Sequence, residues 1–206
     1  MGAIIDENCL GKPSLATRKI TARRLSYLYA LDPGVTLFRG LRYFWDRDKK
    51  SHPLLAFLCA YARDKLLRTS GDYILSLDRN ESVSKEVLEN YIEEKESGRF
   101  SENTLSSVVS NLLSSWTQSG HLVGRSNKVR QQAEATFGSV SYALLLGHLL
   151  GVQGEEVFRT EYARVLDCSQ GEIISLAENA SRRGLIVFKH IGNVVEISFP
   201  QFSEVI

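Results

Sequence analysis

The chain has 206 residues, of which 43% are hydrophobic and 24% charged, and its 25 basic side chains nearly balance 24 acidic ones. This composition excludes a disordered or fibrous chain and leaves room for one large domain or two small ones. The formal net charge of +1 also argues against a uniformly basic, histone-like nucleic-acid binder.

The charges are unevenly distributed along the chain. Residues 1–80 contain 14 basic and 8 acidic side chains, a net of +6, whereas residues 81–120 contain 3 and 7, a net of −4. Residues 121–206 contain 8 and 9, a net of −1. Such asymmetry is typical of proteins with a nucleic-acid or acidic partner, although a solvated surface with clustered charges explains it equally well.

The cellular location is predicted to be the cytoplasm. Asp6 and Glu7 stand where a signal peptide needs basic and then apolar residues, and the longest apolar run, 142–152, is too short to span a bilayer. The three cysteines are widely spaced and odd in number, which argues against a disulfide framework. We therefore expect no membrane contact.

The first 80 residues are predicted to form a basic, all-helical region. Helices are expected over residues 14–29, 35–45 and 54–69, because apolar side chains recur there at helical spacing. The Asp32–Gly34 segment, with proline at its centre, ends the first of them.

Residues 81–138 are predicted to form a first winged-helix unit. A short acidic helix over 84–97 precedes a tight turn and a second helix over 101–119, which Gly120 ends. The second helix has an apolar stripe at nearly ideal spacing, made of Leu105, Val108, Val109, Leu112, Leu113 and Trp116. A short strand and a basic tip, 125–130, follow it, and this order is typical of a winged helix-turn-helix.

Residues 139–206 are predicted to form a core helix and a second winged-helix unit. Ser169 and Glu172 make a complete capping box, which predicts the start of a helix that Gly184 ends. The other predicted elements are helices over 140–150 and 155–166 and strands over 185–189 and 194–199, joined by a turn from His190 to Asn193. The predicted fold class is therefore mainly α, a helical N-terminal region followed by two winged-helix units with short β-hairpins.

The outward face of helix 101–119 is the main candidate surface for DNA. Short polar side chains, which can donate to phosphates and base edges without steric obstruction, occupy it. They are Asn103, Ser106, Ser107, Ser110, Asn111 and Ser114. The alternative explanation is a small-residue face that packs against a neighbouring helix.

Phosphate contacts are expected from basic side chains on tips and helix ends. The candidates are Arg125, Lys128 and Arg130 on the first tip, Lys19 and Arg23 on one face of the first N-terminal helix, and Arg182 and Arg183 at the end of the second recognition helix. Glu172 and Glu178 also face outward on that second helix and would repel phosphate. Packing or contact with another protein therefore explains the outward face of this helix at least as well as DNA binding does.

No catalytic or metal-binding motif is present in the sequence. The P-loop, the dinucleotide-binding glycine pattern, paired cysteines and the zinc-protease and serine-hydrolase motifs are all missing. The four histidines are isolated from one another along the chain. The sequence therefore predicts a protein that is not an enzyme and has no cofactor, metal or small-molecule substrate.

Residues 84–200 resemble a known family in the order of their elements and in several capping residues. The matching segments are Ser101-Glu-Asn-Thr104, Leu112-Leu113, Gly120-His-Leu-Val123, Ala180-Ser-Arg-Arg-Gly184 and Val194-Val-Glu-Ile197. This pattern is similar to that of the BrxA family, small all-helical proteins of BREX bacteriophage-defence systems. The resemblance implies DNA binding and a role in a bacteriophage-resistance gene cluster that includes a methyltransferase.

Two functions from different classes are compatible with these observations. The first is a non-enzymatic protein that binds double-stranded DNA as a component of a bacteriophage-defence system, together with other defence proteins. The second is a protein-interaction adaptor that uses winged-helix surfaces inside a larger complex, with a transcriptional regulator as a further option.

Overall fold

A computed structural model of the chain describes residues 1–192 and 194–205. The chain is mainly helical and contains two small antiparallel sheets, which confirms the predicted mainly-α class. Asn193, predicted in the second hairpin turn, and Ile206 lie outside the described residues. Within the described part, no helix combines the length and apolarity that a membrane span requires.

Five helices form the N-terminal region. They are α1 (Gly2–Ile5), α2 (Leu15–Tyr29), α3 (Thr36–Trp45), α4 (His52–Arg63) and α5 (Lys65–Ile74). A 3₁₀ turn over Lys49–Ser51 leads into α4. These elements confirm the predicted all-helical character of residues 1–80.

The single helix predicted over 54–69 is wrong, because the chain breaks at Asp64. This residue adopts an extended conformation with φ −104° and ψ 112°. One oxygen of its carboxylate accepts hydrogen bonds from the Leu66 and Leu67 N–H groups at 2.8 and 3.2 Å. Asp64 therefore acts as the N-cap of α5, a role that apolar periodicity does not reveal.

The middle of the chain combines two helices with a three-stranded sheet. Its elements are β1 (Ser82–Val83), α6 (Lys85–Lys95), α7 (Glu102–Gln118), β2 (Leu122–Val123) and β3 (Lys128–Arg130). The strands lie in the order β1-β3-β2 with antiparallel pairing, and Leu122 is opposite Arg130. The sequence did not predict β1.

The loop between β2 and β3 depends on Gly124. Its φ of +102° is a conformation that other residues rarely adopt, and a Cβ atom there would lie 2.1 Å from the Asn127 carbonyl oxygen. This glycine therefore fixes the tight path of the loop that carries Arg125.

Three α-helices and a hairpin form most of the C-terminal part. They are α8 (Phe137–Leu149), α9 (Glu161–Val165), α10 (Gln170–Arg182), β4 (Val187–Ile191) and β5 (Val194–Ser198). The predicted capping box at the start of α10 is present, since Ser169 and Glu172 exchange backbone-to-side-chain hydrogen bonds of 2.8 and 3.3 Å. The helix predicted over 155–166 is instead a 3₁₀ helix, Gly154–Arg159, followed by α9.

One hydrophobic cluster joins buried residues from all three predicted segments. Helix α8 lies at its centre, with every residue from 138 to 147 buried, and packs against α3, α4, α9 and α10. Gly40 lets α3 approach closely, because a Cβ atom there would lie 2.6 Å from Leu145 Cδ2. The predicted boundaries at residues 80 and 138 stay predictions.

Helix α7 is anchored to this core by Trp116. The indole is fully buried and its ring lies 4.5 Å, between centroids, from Phe57 of α4. Its Nε1–H donates to Ser70 Oγ of α5 at 2.8 Å, so the polar atom of the ring is satisfied inside the core. The orientation of α7, and hence of its outward face, follows from this contact.

The N-terminus of α8 receives a buried carboxylate from a distant part of the chain. Asp48 Oδ2 accepts hydrogen bonds from Thr136 Oγ1 at 2.6 Å and from the Gly138 N–H at 3.0 Å. The negative charge also lies at the positive end of the helix dipole. Gly138 leaves the necessary space, since a Cβ atom there would lie 2.7 Å from Asp48 Cβ.

We expect the Asp48→Ala substitution to lower the free energy of unfolding by about 2–4 kcal/mol, because a buried hydroxyl and a buried N–H would lose their acceptor. Urea denaturation measures the change. Asp46→Ala is the matched control, since the exposed Asp46 should contribute less than about 0.5 kcal/mol. Equal effects of the two substitutions would contradict this role for Asp48.

Candidate nucleic-acid interface

Helix α7 presents the predicted polar face to solvent. Its apolar stripe is buried at Val109, Leu112, Leu113 and Trp116. On the opposite side, five predicted residues are exposed and Ser106 is half-buried; the five are Asn103, Ser107, Ser110, Asn111 and Ser114. The structure therefore brings the six predicted side chains of this helix onto one accessible surface.

Two of the four serine hydroxyls of this face, those of Ser107 and Ser110, already use their protons within the helix. Ser107 Oγ donates to the Asn103 carbonyl at 2.9 Å, and Ser110 Oγ donates to the Ser106 carbonyl at 2.8 Å. Such back-bonded hydroxyls present acceptor oxygens to the outside. Among the described residues, hydrogen bonds engage only the backbone carbonyls of Asn103 and Asn111 on this face, so their side-chain amides are free to donate.

Lys85 is a basic residue beside this face that the sequence prediction missed. It begins α6, and its Nζ donates to Ser106 Oγ at 2.7 Å and lies 3.5 Å from Glu89 Oε1. The lysine directly follows the N-cap Ser84, which was the only local signal. Lys85 reaches the face of α7 only because α6 packs against α7, and the local sequence does not show that packing.

Two of the three predicted cations of the β2–β3 segment remain accessible. Arg125 is exposed at the loop. Lys128 is half-buried, and its Nζ donates to the Gly124 carbonyl at 2.7 Å. Both ammonium and guanidinium groups are therefore near the loop surface, where phosphate contacts were expected.

The prediction that Arg130 contacts phosphate is wrong, because its side chain is only 4% exposed. It lies opposite the buried Leu122 in the sheet and shares the inward face with it. The guanidinium binds both carboxylate oxygens of Asp167 at 2.8 and 2.7 Å. Its Nε also donates to the carbonyl of Ile74 at 3.0 Å, at the C-terminal end of α5.

His121 belongs to the same buried polar cluster. Its Nε2 lies 2.9 Å from the Val165 carbonyl oxygen, which can only accept, so Nε2 carries the proton. Nδ1 then accepts from Ser119 Oγ at 2.8 Å. Burial lowers the pKa of His121 to about 4, so the imidazole is neutral at physiological pH. Its role is to make the two buried hydrogen bonds to Val165 and Ser119.

The remaining predicted cations lie on other helices. Lys19 and Arg23 are exposed on α2, and Arg182 and Arg183 are exposed at the end of α10. The Arg183 guanidinium lies 4.4 Å from the centroid of the Phe137 ring. Helix α10 packs mainly against α8 and β4, so its arginines belong to a different part of the surface from α7.

Unneutralised positive charge is concentrated in the N-terminal region. Among the side chains that the structure describes, no lysine or arginine from Lys12 to Arg63 forms an ion pair with a carboxylate. Lys65 is the first cation along the chain that does. Residues 12–63 thus contain 11 lysines and arginines without a carboxylate partner among the described side chains, whereas Lys65 and Arg68, which also count toward the +6 of residues 1–80, are paired.

The described residues contain no cluster of three or more His, Cys, Asp or Glu side chains that could hold a metal ion. No family model, curated protein or solved structure matches the chain. Its functional interpretation therefore depends on the geometry described above.

We expect the Arg130→Met substitution to lower the free energy of unfolding by about 3–5 kcal/mol, because it leaves Asp167 without its charge partner. Arg125→Met is the matched control and should change stability by less than about 0.5 kcal/mol. Chemical denaturation of both variants measures the difference. A small effect of Arg130→Met would contradict its structural role.

Acid should destabilise the protein through His121. Since the pKa of this imidazole falls from about 6.5 in the unfolded chain to about 4 in the folded one, the unfolded state takes up the proton first. The stabilisation is complete above pH 6.5, and about 3 kcal/mol of it should be lost by pH 4. Comparing the pH dependence of unfolding in the wild type and in His121→Gln isolates this contribution; parallel curves would contradict it.

Proposed function

We propose that the chain is a non-enzymatic protein that binds double-stranded DNA, with α7 as its recognition helix. The observation that carries this proposal is the outward face of α7, which is polar, accessible and has Glu102 as its single acidic residue. A helix of this kind, held by its apolar side in its own domain, suits the major groove. The order α5, β1, α6, α7, β2, β3 supports its assignment as a winged-helix unit.

Helices α8, α9 and α10 with the β4–β5 hairpin make a second winged-helix unit in this proposal. Helix α10 takes the position of its recognition helix, and Arg182 and Arg183 supply its cations. Glu172 and Glu178 are exposed on the same helix, which makes it the weaker DNA surface. We therefore assign it an auxiliary role.

Phosphate contacts in this proposal come from two places. The first is the region beside α7, with Arg125 on the β2–β3 loop, Lys128 at the start of β3 and Lys85, which also pairs with Glu89. The second is α2, with Lys19 and Arg23. Arg130 has no part in it because its guanidinium is held by Asp167. The positive charge that no carboxylate neutralises in residues 12–63 favours the same anionic partner.

The biological setting is proposed from the family resemblance of residues 84–200. We assign the chain to a bacteriophage-defence system of the BREX type in the bacterial cytoplasm, with double-stranded DNA and other defence proteins as partners. A gene neighbourhood that contains a methyltransferase and other defence genes would support this setting, and a regulatory operon would contradict it.

The DNA proposal predicts a steep salt dependence. Affinity for a random 20-base-pair duplex should fall with a log–log slope of about −0.9 for each phosphate contact. Reversing the charge at Arg125 and Lys128, to Glu, should weaken binding and reduce the magnitude of the slope by about 2. Electrophoretic mobility shift or fluorescence anisotropy measures both effects.

The matched control reverses Arg159 and Arg164 to Glu, which changes the net charge equally at two exposed arginines that already have carboxylate partners. It should retain most of the affinity. Absence of any shift at about 10 µM protein and low salt would contradict DNA binding.

A protein-interaction adaptor is the second candidate. The observation that favours it is the acidic, exposed side of α6, which carries Glu86, Glu94 and Val87, the last of them 48% exposed. An adaptor would assemble with its partner normally after the Arg125→Glu and Lys128→Glu substitutions. Loss of assembly after Glu86→Lys and Glu94→Lys, with duplex binding absent throughout, would favour this function over the first.

A further inference from the structure

A groove of about 490 Å³ runs between α4 and α7. Side chains of α4 from His52 to Ala60 line one side, and those of α7 from Val108 to Gln118, with Ser119 directly after the helix, line the other. From His52 to Asp64 it follows α4 for roughly 18 Å, at about 1.5 Å per residue. The volume lies within the range of about 300–1,000 Å³ that is typical of ligand sites.

An aromatic pair stands at one end of this groove. The rings of Trp45 and His52 stack with centroids 3.8 Å apart and an interplanar angle of 9°. His52 Nε2 also lies 2.9 Å from the Trp45 carbonyl oxygen, which fixes the imidazole in place. Trp45 still has 37% of its surface exposed, so a large aromatic side chain is held rigidly at an open site.

The α7 side of the groove offers side-chain amides above an apolar floor. Phe57 and Leu112 are buried and form part of that floor. Asn111 and Gln118 line the same groove and are exposed. An amide both donates and accepts hydrogen bonds, and it can therefore pair with the edge of any nucleobase.

The two ends of the groove differ in charge. Lys49 and Lys50 are exposed in the 3₁₀ turn directly before His52, and among the described side chains neither has a carboxylate partner. At the opposite end, the Asp64 carboxylate would repel an anion. A ligand with an aromatic ring and a negative charge would thus place its charge beside the lysines.

We propose that this groove binds single-stranded DNA, with an unstacked base against Trp45 and its phosphates at Lys49 and Lys50. The edge of the base would face Asn111 and Gln118. Stacked aromatic side chains and a flanking positive charge are the features by which proteins hold single strands. The inference deepens the proposed function, since it adds a strand site beside the proposed recognition helix.

The unpaired lysines distinguish this occupant from an amphipathic partner helix. A helix would pack mainly on the apolar floor, whereas a planar base can stack on the fixed indole while its phosphates pair with the two free ammonium groups. A single strand uses all three features together.

Tryptophan fluorescence tests the proposal directly, because the chain has two tryptophans and Trp116 is fully buried. Titration of the full chain with the decanucleotide dT10 at low salt should quench the Trp45 emission. In anisotropy measurements with labelled dT10, Trp45→Ala should weaken binding about tenfold, and Trp45→Phe should restore part of it. Trp45 is exposed, so both variants should fold, as thermal denaturation will check.

The lysine variants test the phosphate end. Lys49→Ala with Lys50→Ala should reduce the magnitude of the salt slope for dT10 by about 1.4, at about 0.7 for each contact with a single strand. The matched control is Lys95→Ala with Lys189→Ala, two exposed lysines that already pair with glutamates. An equal loss in the control would contradict the assignment.

The proposal fails if 100 µM dT10 leaves the fluorescence unchanged, or if Trp45→Ala binds dT10 as the wild type does. Duplex binding separates this failure from failure of the proposed function. If the chain does not bind dT10 but does bind duplex, and Arg125→Glu weakens the duplex binding, only the single-strand site is overturned. Binding of dT10 without duplex binding supports the strand site and overturns the duplex proposal.

Discussion

The ion pair between Arg130 and Asp167 joins three parts of the structure. The guanidinium donates hydrogen bonds to both oxygens of the carboxylate and also to the Ile74 carbonyl at the end of α5. The same carboxylate accepts a hydrogen bond from the Ala133 N–H at 3.0 Å. The end of α5, the central strand of the sheet and the α9–α10 junction therefore converge on one pair, and His121 completes the cluster through the Val165 carbonyl. Buried charges of this kind are tolerated only when nearly every polar atom has a partner, as is the case here.

This use of Arg130 changes where positive charge is available. The β2–β3 segment contains three cations in sequence, but one is committed to the core and Lys128 is partly engaged with its own loop. Among the described side chains, the cations without a carboxylate partner lie mainly in residues 12–63, a different part of the chain from the polar face of α7. An anionic ligand that uses both would contact an uncharged reading surface and a separate basic surface. The near-zero net charge of the chain is compatible with that arrangement, because the cations and the carboxylates are segregated.

The sequence predicted well those features that depend only on residues close together in the chain. The apolar stripe of α7 and the capping box at Ser169 depend on neighbouring residues, and both are present. The break at Asp64 was missed because apolar periodicity continues through it, although aspartate is a good N-cap. Strand β1 has two residues and pairs with Val129, far along the chain. Arg130 was misassigned for the same reason: its partner lies 37 residues away, and only tertiary packing shows that it points inward.

The proposed DNA interaction has two physical contributions, the uncharged polar contacts of α7 and the charged contacts of lysine and arginine. The hydroxyls of Ser107 and Ser110 are back-bonded, so the free amides of Asn103 and Asn111 are better able than these serines to donate to a base edge. Amide contacts release no counterions and therefore contribute little to the salt dependence, whereas contacts from lysine and arginine dominate it. Sequence preference should then depend on α7, and the salt slope on the N-terminal region and the β2–β3 loop. A substitution that changes the sequence preference but not the salt slope would therefore affect the contacts of α7. One that changes only the salt slope would affect the contacts of the basic side chains.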